Sequence, residues 1–378
     1  MRVAHLIKVT RISGAERHLL VLLSALRRHD VDAHLLILVE ADKPMADMVS
    51  AAKERGIPLR RLTIHRDYDL TLIFKIRRAL REIKPDIVHT HLIHADLYGL
   101  FAAKLAGVGA VISSRHNDDQ FRFHPIWQRI SPMMWRLTNG GIAISAAIKD
   151  FMIEVEDAPG EKIAVVHYGL EHKWVADEEL RAARQNLSVE LRLDSDALLL
   201  GMVCRIVEQK GVPYALRALQ QIRDRFPTAN LIIAGDGDLR PQLEALAREL
   251  GIDANVHWLG WRGDAARLIG AFDVLLMPSL WEGFGLVLLE AMSRRVPVIA
   301  NRVSAIPEIV VHGETGLLVE ARDVDALAAA MTRLLEDHAL RQHMGLLGAA
   351  RLEDRFSVDR MVSGTVAVYK GFTQQVQR

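Results

Sequence analysis

Short apolar runs alternate with amphipathic helical patterns along the whole chain, in two successive series. In the first series, residues 2–9, 31–38, 58–64, 86–91, 108–115, 141–145 and 163–167 read as strands. Between them lie helical patterns. The first carries Leu19, Leu20, Leu22, Leu23 and Leu26 on one side, and others occupy 44–55, 70–83, 95–105, 126–138 and 146–155. Pro85 ends the basic 70–83 pattern. The second series places strands at 198–204, 230–234, 256–259, 273–277, 296–300 and 316–319. Its helices fall at 213–225, 239–250, 265–271, after Gly285, near Pro307 and at 323–336, before a polar amphipathic tail. Residues 172–197, with the acidic run Asp177-Glu178-Glu179, read as the junction.

Strands separated by helices pair in parallel, because each helix carries the chain back to the starting edge of the sheet. The expectation is an α/β chain of two doubly wound, Rossmann-like domains facing a cleft, 1–170 and 171–356. Length agrees, since 378 residues exceed what one hydrophobic core organises. Half the residues are hydrophobic and a quarter charged, as in soluble globular proteins. Cys204 is the sole cysteine, which excludes an intrachain disulfide and suits a reducing, cytoplasmic compartment. No apolar run approaches the roughly 20 residues of a membrane span. No signal-peptide core follows the first strand. The net charge of +1 conceals an asymmetry: residues 1–170 hold 24 Lys and Arg against 19 Asp and Glu, the remainder 24 against 28. This split suggests different partners for the two halves, and unselected surface composition explains it equally well. A net charge near zero with scattered cations argues against a nucleic-acid partner.

The most informative stretch is Trp281-Glu282-Gly283-Phe284-Gly285-Leu286. It follows a buried-strand run, and a helix begins at about Leu286. A strand, a glycine-rich turn and a helix N-terminus make an anion site, because free N–H groups and the helix dipole converge there. Glu282 and Glu290 bracket the site. A carboxylate beside a phosphate cradle binds hydroxyls, and a ligand with both phosphates and many hydroxyls is a nucleotide sugar. Earlier, the run 198–204 leads into Arg205 and then Lys210, two cations at the carboxyl edge of the same sheet, where open sheets bind ligands. Arg offers a fork to phosphate oxygens and Lys a compact charge. The plain alternative is a pair of solvated surface cations.

Arg205 and Lys210 after a strand, the Gly235-Asp236-Gly237 turn, Glu282-Gly283-Phe284-Gly285 and Glu290 together resemble the retaining glycosyltransferases of family 4. The resemblance covers nearly the whole chain and is strongest from Leu200 to Val319. It implies the GT-B fold, with a C-terminal helix at about 357–378 crossing back to the first domain. It gives Glu282 the donor-sugar hydroxyls, Glu290 the ribose hydroxyls, and Arg205 with Lys210 the diphosphate. The backbone N–H groups of Phe284, Gly285 and Leu286 would reach sugar and phosphates. In the first domain it places Gly14 in a loop approaching the donor phosphate. The family commonly has two glycines there, whereas this chain has Ser13-Gly14. His116, at the end of its strand, matches a histidine that hydrogen-bonds the donor sugar.

The implied function is transfer of a hexose-type sugar, UDP-linked and without metal or other cofactor, to a glycan or lipid-linked acceptor in cell-surface polysaccharide or lipopolysaccharide synthesis. The implied setting is cytoplasmic, with peripheral membrane contact. Two alternatives stand beside it: a nucleotide-sugar epimerase of the same fold, and a non-catalytic carbohydrate-binding protein.

Other constellations carry less. Asp236-Gly237-Asp238 and Asp67-Tyr68-Asp69 match an Asp-x-Asp metal pattern, but both precede helices, where Asp serves as a cap. His89, His91 and His94 suggest zinc, yet alternation puts His89 and His91 on one strand face and no fourth ligand is indicated. No GxGxxG fingerprint for a dinucleotide is present. In Phe121-Arg122-Phe123-His124-Pro125-Ile126-Trp127-Gln128-Arg129 and on to Trp135-Arg136, aromatic and apolar groups alternate with arginines. That suits a membrane interface or acceptor groove, or a helix packed on its own domain with exposed arginines.

Overall fold

The structure, a computed structural model, describes residues 1–65, 69–171 and 175–376, without the side chains of Gln120 and residues 373–376. It divides into two compact units, Met1–Glu171 with Phe356–Arg378, and His172–Arg355.

Unit 1 is built on β1 (Arg2–Lys8), β2 (Asp32–Glu40), β3 (Leu59–Ile64), β4 (Ile87–His91), β5 (Ala110–Arg115), β6 (Gly140–Ala143) and β7 (Ile163–Val165). They lie in the order β3-β2-β1-β4-β5-β6-β7, every pair parallel. Side chains alternate between the two faces of a strand. Val3, Ile7, Ile87 and Ile112 therefore pack on one side, against leucines of the Gly14–Arg28 helix and against Met361 and Tyr369 of the C-terminal Val358–Val376 helix. Ala4, Leu6, Val88 and Val111 pack on the other, with Ile76 and Leu80 of the Thr71–Ile83 helix and Leu100 of the Leu92–Ala106 helix. The C-terminal helix belongs to unit 1, and Leu170 bridges to Ser357 beside it.

Unit 2 carries β8 (Leu198–Val203), β9 (Ala229–Ala234), β10 (Val256–Gly260), β11 (Val274–Met277), β12 (Val298–Asn301) and β13 (Gly316–Val319), in the order β10-β9-β8-β11-β12-β13. Its pairings are again parallel. A core of Leu200, Met202, Leu216, Leu231, Ile233, Leu276, Ile299 and Met331 is almost wholly aliphatic. In each sheet the winding reverses at one place, between β1 and β4 and between β8 and β11. The carboxyl ends of those strand pairs are where a doubly wound sheet leaves a crevice.

The junction stretch holds more structure than its polar sequence announces. The stretch 172–197 holds a full helix, Asp177–Leu191, whose first turn carries Asp177, Glu178 and Glu179. Acidic groups at a helix N-terminus are favourable, so the acidic run marks a helix start within what reads as a junction.

Candidate functional site

The unit 2 site grows from the adjacent ends of β8 and β11. After β11 the chain passes Pro278 and reaches Gly285, whose φ of +96° caps the Leu286–Ser293 helix in the left-handed region. A side chain there would be strained, so the turn that presents the Phe284, Gly285 and Leu286 backbone requires glycine. Phe284 is buried and anchors the turn. Glu290, one helical turn on, is half-buried, and its carbonyl accepts the Ser293 hydroxyl at 2.6 Å.

The loop after β8 is fastened to this turn. Leu280 N–H donates to the Gln209 carbonyl at 2.7 Å, and the Gln209 amide donates to the Trp281 carbonyl at 2.9 Å. Gly211, at φ +62°, lies so close to β11 that a Cβ would come within 1.9 Å of the Pro278 oxygen. Lys210 and Glu282 form a direct ion pair in which both side chains are mostly buried. Glu282 N–H donates to Ser304 Oγ at 3.2 Å. Arg205 is exposed at the same edge. Beneath it, burial pushes the Cys204 thiol up to about 11, which keeps it protonated and unreactive. The structure thus brings Arg205, Lys210, Glu282, Phe284, Gly285 and Leu286 to one sheet edge.

The Asp236-Gly237-Asp238 turn differs from expectation. Leu239 is the N-cap of the Arg240–Glu249 helix, and Asp236 Oδ1 only accepts from Gly237 N–H at 2.9 Å. Gly237 has no room for a Cβ, which would come within 2.3 Å of the Ile206 oxygen, and that packing fixes the turn. Asp67 and Tyr68 lie outside the described residues. Asp69 lies one residue before Leu70, the N-cap of its helix, and accepts from Thr71 N–H at 3.0 Å.

In unit 1, Gly14 opens the Gly14–Arg28 helix, where the expectation placed it in a loop. The reason is local. Ser13 is the N-cap, and its N–H and hydroxyl donate to the buried Glu16 carboxylate at 2.9 and 2.6 Å, a capping-box pair. His116 sits just past β5, buried. Its Nδ1 pairs with the Tyr168 hydroxyl at 2.5 Å and its Nε2 with His91 Nδ1 at 2.9 Å. Burial, then the neighbouring Arg115 charge, lowers His116 to about 3. His116 is neutral at ordinary pH.

The sequence reading grouped His89 and His91 with His94; the partner on the sheet is His5. In-register pairing sets His5 beside His89 and Ile7 beside His91. Their ligand atoms lie within 4.8 Å of one another, as in a three-histidine metal set. Each of these nitrogens already has a protein partner, however, so the cluster is a hydrogen-bonded chain. Period-two alternation of His5, His89, His91 and Ser114 on one face was the signal available in the sequence.

The opposite face holds a buried charge network that the sequence reading missed. Arg115 donates to Glu156 at 2.8 Å and Asp96 at 2.6 Å, and Arg122 pairs with Glu156 at 3.1 Å. Arg122 therefore faces inward, against its reading as one of several alternating surface arginines. Burial works against the Arg115 charge, yet Asp96 and Glu156 outweigh it and raise the net pKa. Arg122 falls to about 10 through burial and repulsion from Arg115.

Two doubly wound parallel units, with an anion-suited helix start at a sheet switch point, define the GT-B class of sugar-transfer proteins. The family described as Glycosyltransferase Family 4 matches residues 12–174, and that described as Glycosyl transferases group 1 matches residues 183–349. An uncharacterized glycosyltransferase of Methanocaldococcus jannaschii is 32% identical over 61% of this chain and 59% of its own length. The UDP-Gal:alpha-D-GlcNAc-diphosphoundecaprenol alpha-1,3-galactosyltransferase of Escherichia coli is 26% identical over 90% of this chain and 89% of its own. Among solved structures, Anabaena HepE in complex with UDP and glucose superposes with a TM-score of 0.85 at 22% identity, covering 98% of this chain and all of that one. The chain belongs to glycosyltransferase family 4 and has the GT-B fold.

Proposed function

We propose that this glycosyltransferase moves a hexose from UDP-hexose to a glycan or lipid-linked acceptor with retention at the anomeric carbon, and without a metal. The observation that carries the reading is the Lys210–Glu282 pair beside the left-handed Gly285 cap at the β8/β11 switch point. It sets a cation for diphosphate, a carboxylate for sugar hydroxyls and a helix N-terminus at one edge. Glu290 takes the ribose hydroxyls, and Arg205 shares the diphosphate with Lys210. The UDP choice is supported by the donor named for the Escherichia coli relative and by the ligand in Anabaena HepE.

In the proposed step the bond from the anomeric carbon to the phosphate oxygen breaks, and a bond to the acceptor oxygen forms on the same face. The acceptor proton passes to the departing diphosphate. Arg205, Lys210 and the helix start stabilise the charge that develops there. Glu282 positions the sugar, and the rate comes from orientation as well as electrostatics. Unit 1 supplies the acceptor side, Gly14 and His116. An imidazole with a pKa near 3 is a poor base at neutral pH, which supports an orienting role for His116.

The acceptor is proposed to be lipid-linked, in cell-surface polysaccharide or lipopolysaccharide synthesis at the cytoplasmic membrane face. Phe123, Ile126 and Met133 stand about half exposed beside exposed Arg129 and Arg136. No acidic residue occurs from Gln120 to Lys149. Such a surface suits an anionic bilayer, with apolar groups at the interface and arginines on headgroups. No helix among the described residues is long and apolar enough to cross a membrane. Vesicles with phosphatidylglycerol should retain the wild type and release the R129E/R136E variant. Equal binding to neutral vesicles would remove the membrane part of the reading.

Incubation with UDP-hexoses and no acceptor separates transferase from epimerase. The transferase reading expects no epimer, and accumulation of one would overturn it.

A further inference from the structure

One face of the unit 1 sheet carries an unbroken hydrogen-bonded chain. From Tyr168 it runs to His116 Nδ1 at 2.5 Å, from His116 Nε2 to His91 Nδ1 at 2.9 Å, and from His91 Nε2 to His5 Nδ1 at 3.1 Å. It continues from His5 Nε2 to the Tyr369 hydroxyl at 3.4 Å, then to His89 Nδ1 at 2.7 Å, and from His89 Nε2 to Ser114 at 2.7 Å. All seven groups are buried. A neutral imidazole has one N–H, so a ring that donates from one nitrogen must accept at the other. The hydrogens of His116, His91 and His5 therefore share one direction. Either His116 holds its hydrogen on Nδ1 and donates to Tyr168, or it holds it on Nε2 and donates to His91. The choice is common to all three rings.

What selects the direction sits at the Tyr168 end. His18, in the second turn of the Gly14–Arg28 helix, stacks on Tyr168 with ring centroids 3.9 Å apart. The turn before it holds the buried carboxylate of Glu16, which accepts both hydrogens of Ser13. A negative charge there draws the Tyr168 hydroxyl hydrogen outward and leaves the phenolic oxygen to accept. We infer that Glu16, acting through Tyr168, orders this chain so that His116 holds its hydrogen on Nδ1 and presents Nε2 as an acceptor. Two further facts agree: burial holds His5 and His116 near pKa 3, so both rings are neutral, and the Glu16 charge raises Tyr168 after burial does.

The consequence for transfer rests on the reading that His116 meets the sugar. With Nδ1 donating to Tyr168, Nε2 is the accepting nitrogen, and on that reading a sugar hydroxyl takes the place of His91 and donates to it. Glu16 and Tyr168 are then positioning residues that reach the sugar only through His116. They also tie its hydrogen order to the Ser13–Gly14 helix start.

The test is the histidine 15N–1H correlation spectrum of wild type, Glu16→Gln and Tyr168→Phe. Glutamine keeps the capping box and removes the charge. The wild type should show His116 as the Nδ1–H tautomer. In both variants His116, His91 and His5 should shift together toward the opposite tautomer, while the melting temperature of Glu16→Gln stays within a few degrees. A His116 that keeps its Nδ1 hydrogen in Glu16→Gln, or three rings that change independently, would overturn the inference. Transfer kinetics on the same variants test the underlying reading separately. A fall in kcat with KM for the nucleotide sugar unchanged supports it, whereas a tautomer shift with unaltered kcat keeps the relay and removes His116 from the sugar.

Discussion

The two units share a winding pattern but bury different chemistry. Among the described residues, unit 2 buries one charged side chain, Arg341, within an aliphatic core. Unit 1 buries Glu16, Asp69, Asp96, Arg115, Arg122 and Glu156, together with His5, His18, His89, His91 and His116. Buried charges and polar groups cost stability unless each is paired, so they are poor building material for a generic core. Unit 2 buries a few neutral polar groups, among them Asn230, Asn301 and Thr315, and carries Lys210 and Glu282 at the sheet edge, on loops beside a helix start. The lesson is that the proposed donor cradle needs only backbone geometry and a few edge residues. The middle of unit 1 holds an over-determined polar interior that fixes specific rings.

The sharpest way to break this comparison is to remove Glu156, the carboxylate that Arg115 and Arg122 share. Glu156→Leu should destabilise unit 1 by about 3–5 kcal/mol, because two buried guanidinium groups lose their nearest counter-charge. Denaturant unfolding followed by Trp135 fluorescence reads this out. A loss below about 1 kcal/mol, the range of surface pairs, would mean that the network is not under-compensated without it.

Glu282→Ala should do the opposite. Transfer should fall by about 10²–10³, comparable with losing one preorganised transition-state contact, with little change in melting. Lys210, 17% exposed, loses its ion-pair partner, so the drop in melting should stay well below that of Glu156→Leu. Undiminished turnover in a folded variant would refute the donor-site assignment. No covalent glycosyl-enzyme should be trapped in either protein.

Acid should separate the units next. The sign follows from the direction of the shifts. A histidine whose folded pKa lies below its unfolded value contributes stability in full above about pH 6.5. Below that the unfolded chain takes up protons that the folded chain refuses, and the contribution declines until the folded pKa is reached. For His5 and His116 that window runs from 6.5 down to about 3. Each fully buried ring adds a slope approaching about 1.4 kcal/mol per pH unit. Between pH 6 and 4, hydrogen exchange should open β1, β4 and β5 before β8, β9 and β11. Simultaneous opening would erase the contrast.

The smallest effect is at the rim. Arg2 first, then His34 and Arg27, hold Asp32 at about 2 against the opposing effect of burial. Its contribution is present above about pH 4 and lost as pH falls through 2. Because this pair is exposed, Asp32→Asn should leave the pH 7 melting point nearly unchanged.

Much of this was legible in the sequence, and the reason is periodicity. Alternating apolar runs specify parallel sheets, and the strand–Gly–helix punctuation around Gly285 marks its site without knowledge of the fold. The paired cations Arg205 and Lys210 followed because β8 must end where β11 ends. What escaped has a common cause. Arg122 stands in a run that reads as surface, and its burial depends on the carboxylates of Glu156 and Asp96, far away in sequence, as well as on nearby Asp119. His5 looks like an accident in an apolar strand until register sets it beside His89. Tyr369 comes from the far end of the chain. Cross-strand and long-range pairing decides such positions, and no local pattern encodes it.

Hydrogen exchange of the wild type with saturating UDP-hexoses tests the central claim most directly. Bound donor should slow exchange at residues 205–211 and at the amides of Phe284, Gly285 and Leu286, and Glu290→Ala should weaken that protection without moving it. Unchanged exchange at both segments under every UDP-sugar, with the fold intact, would contradict the assignment of unit 2 as the nucleotide-sugar site.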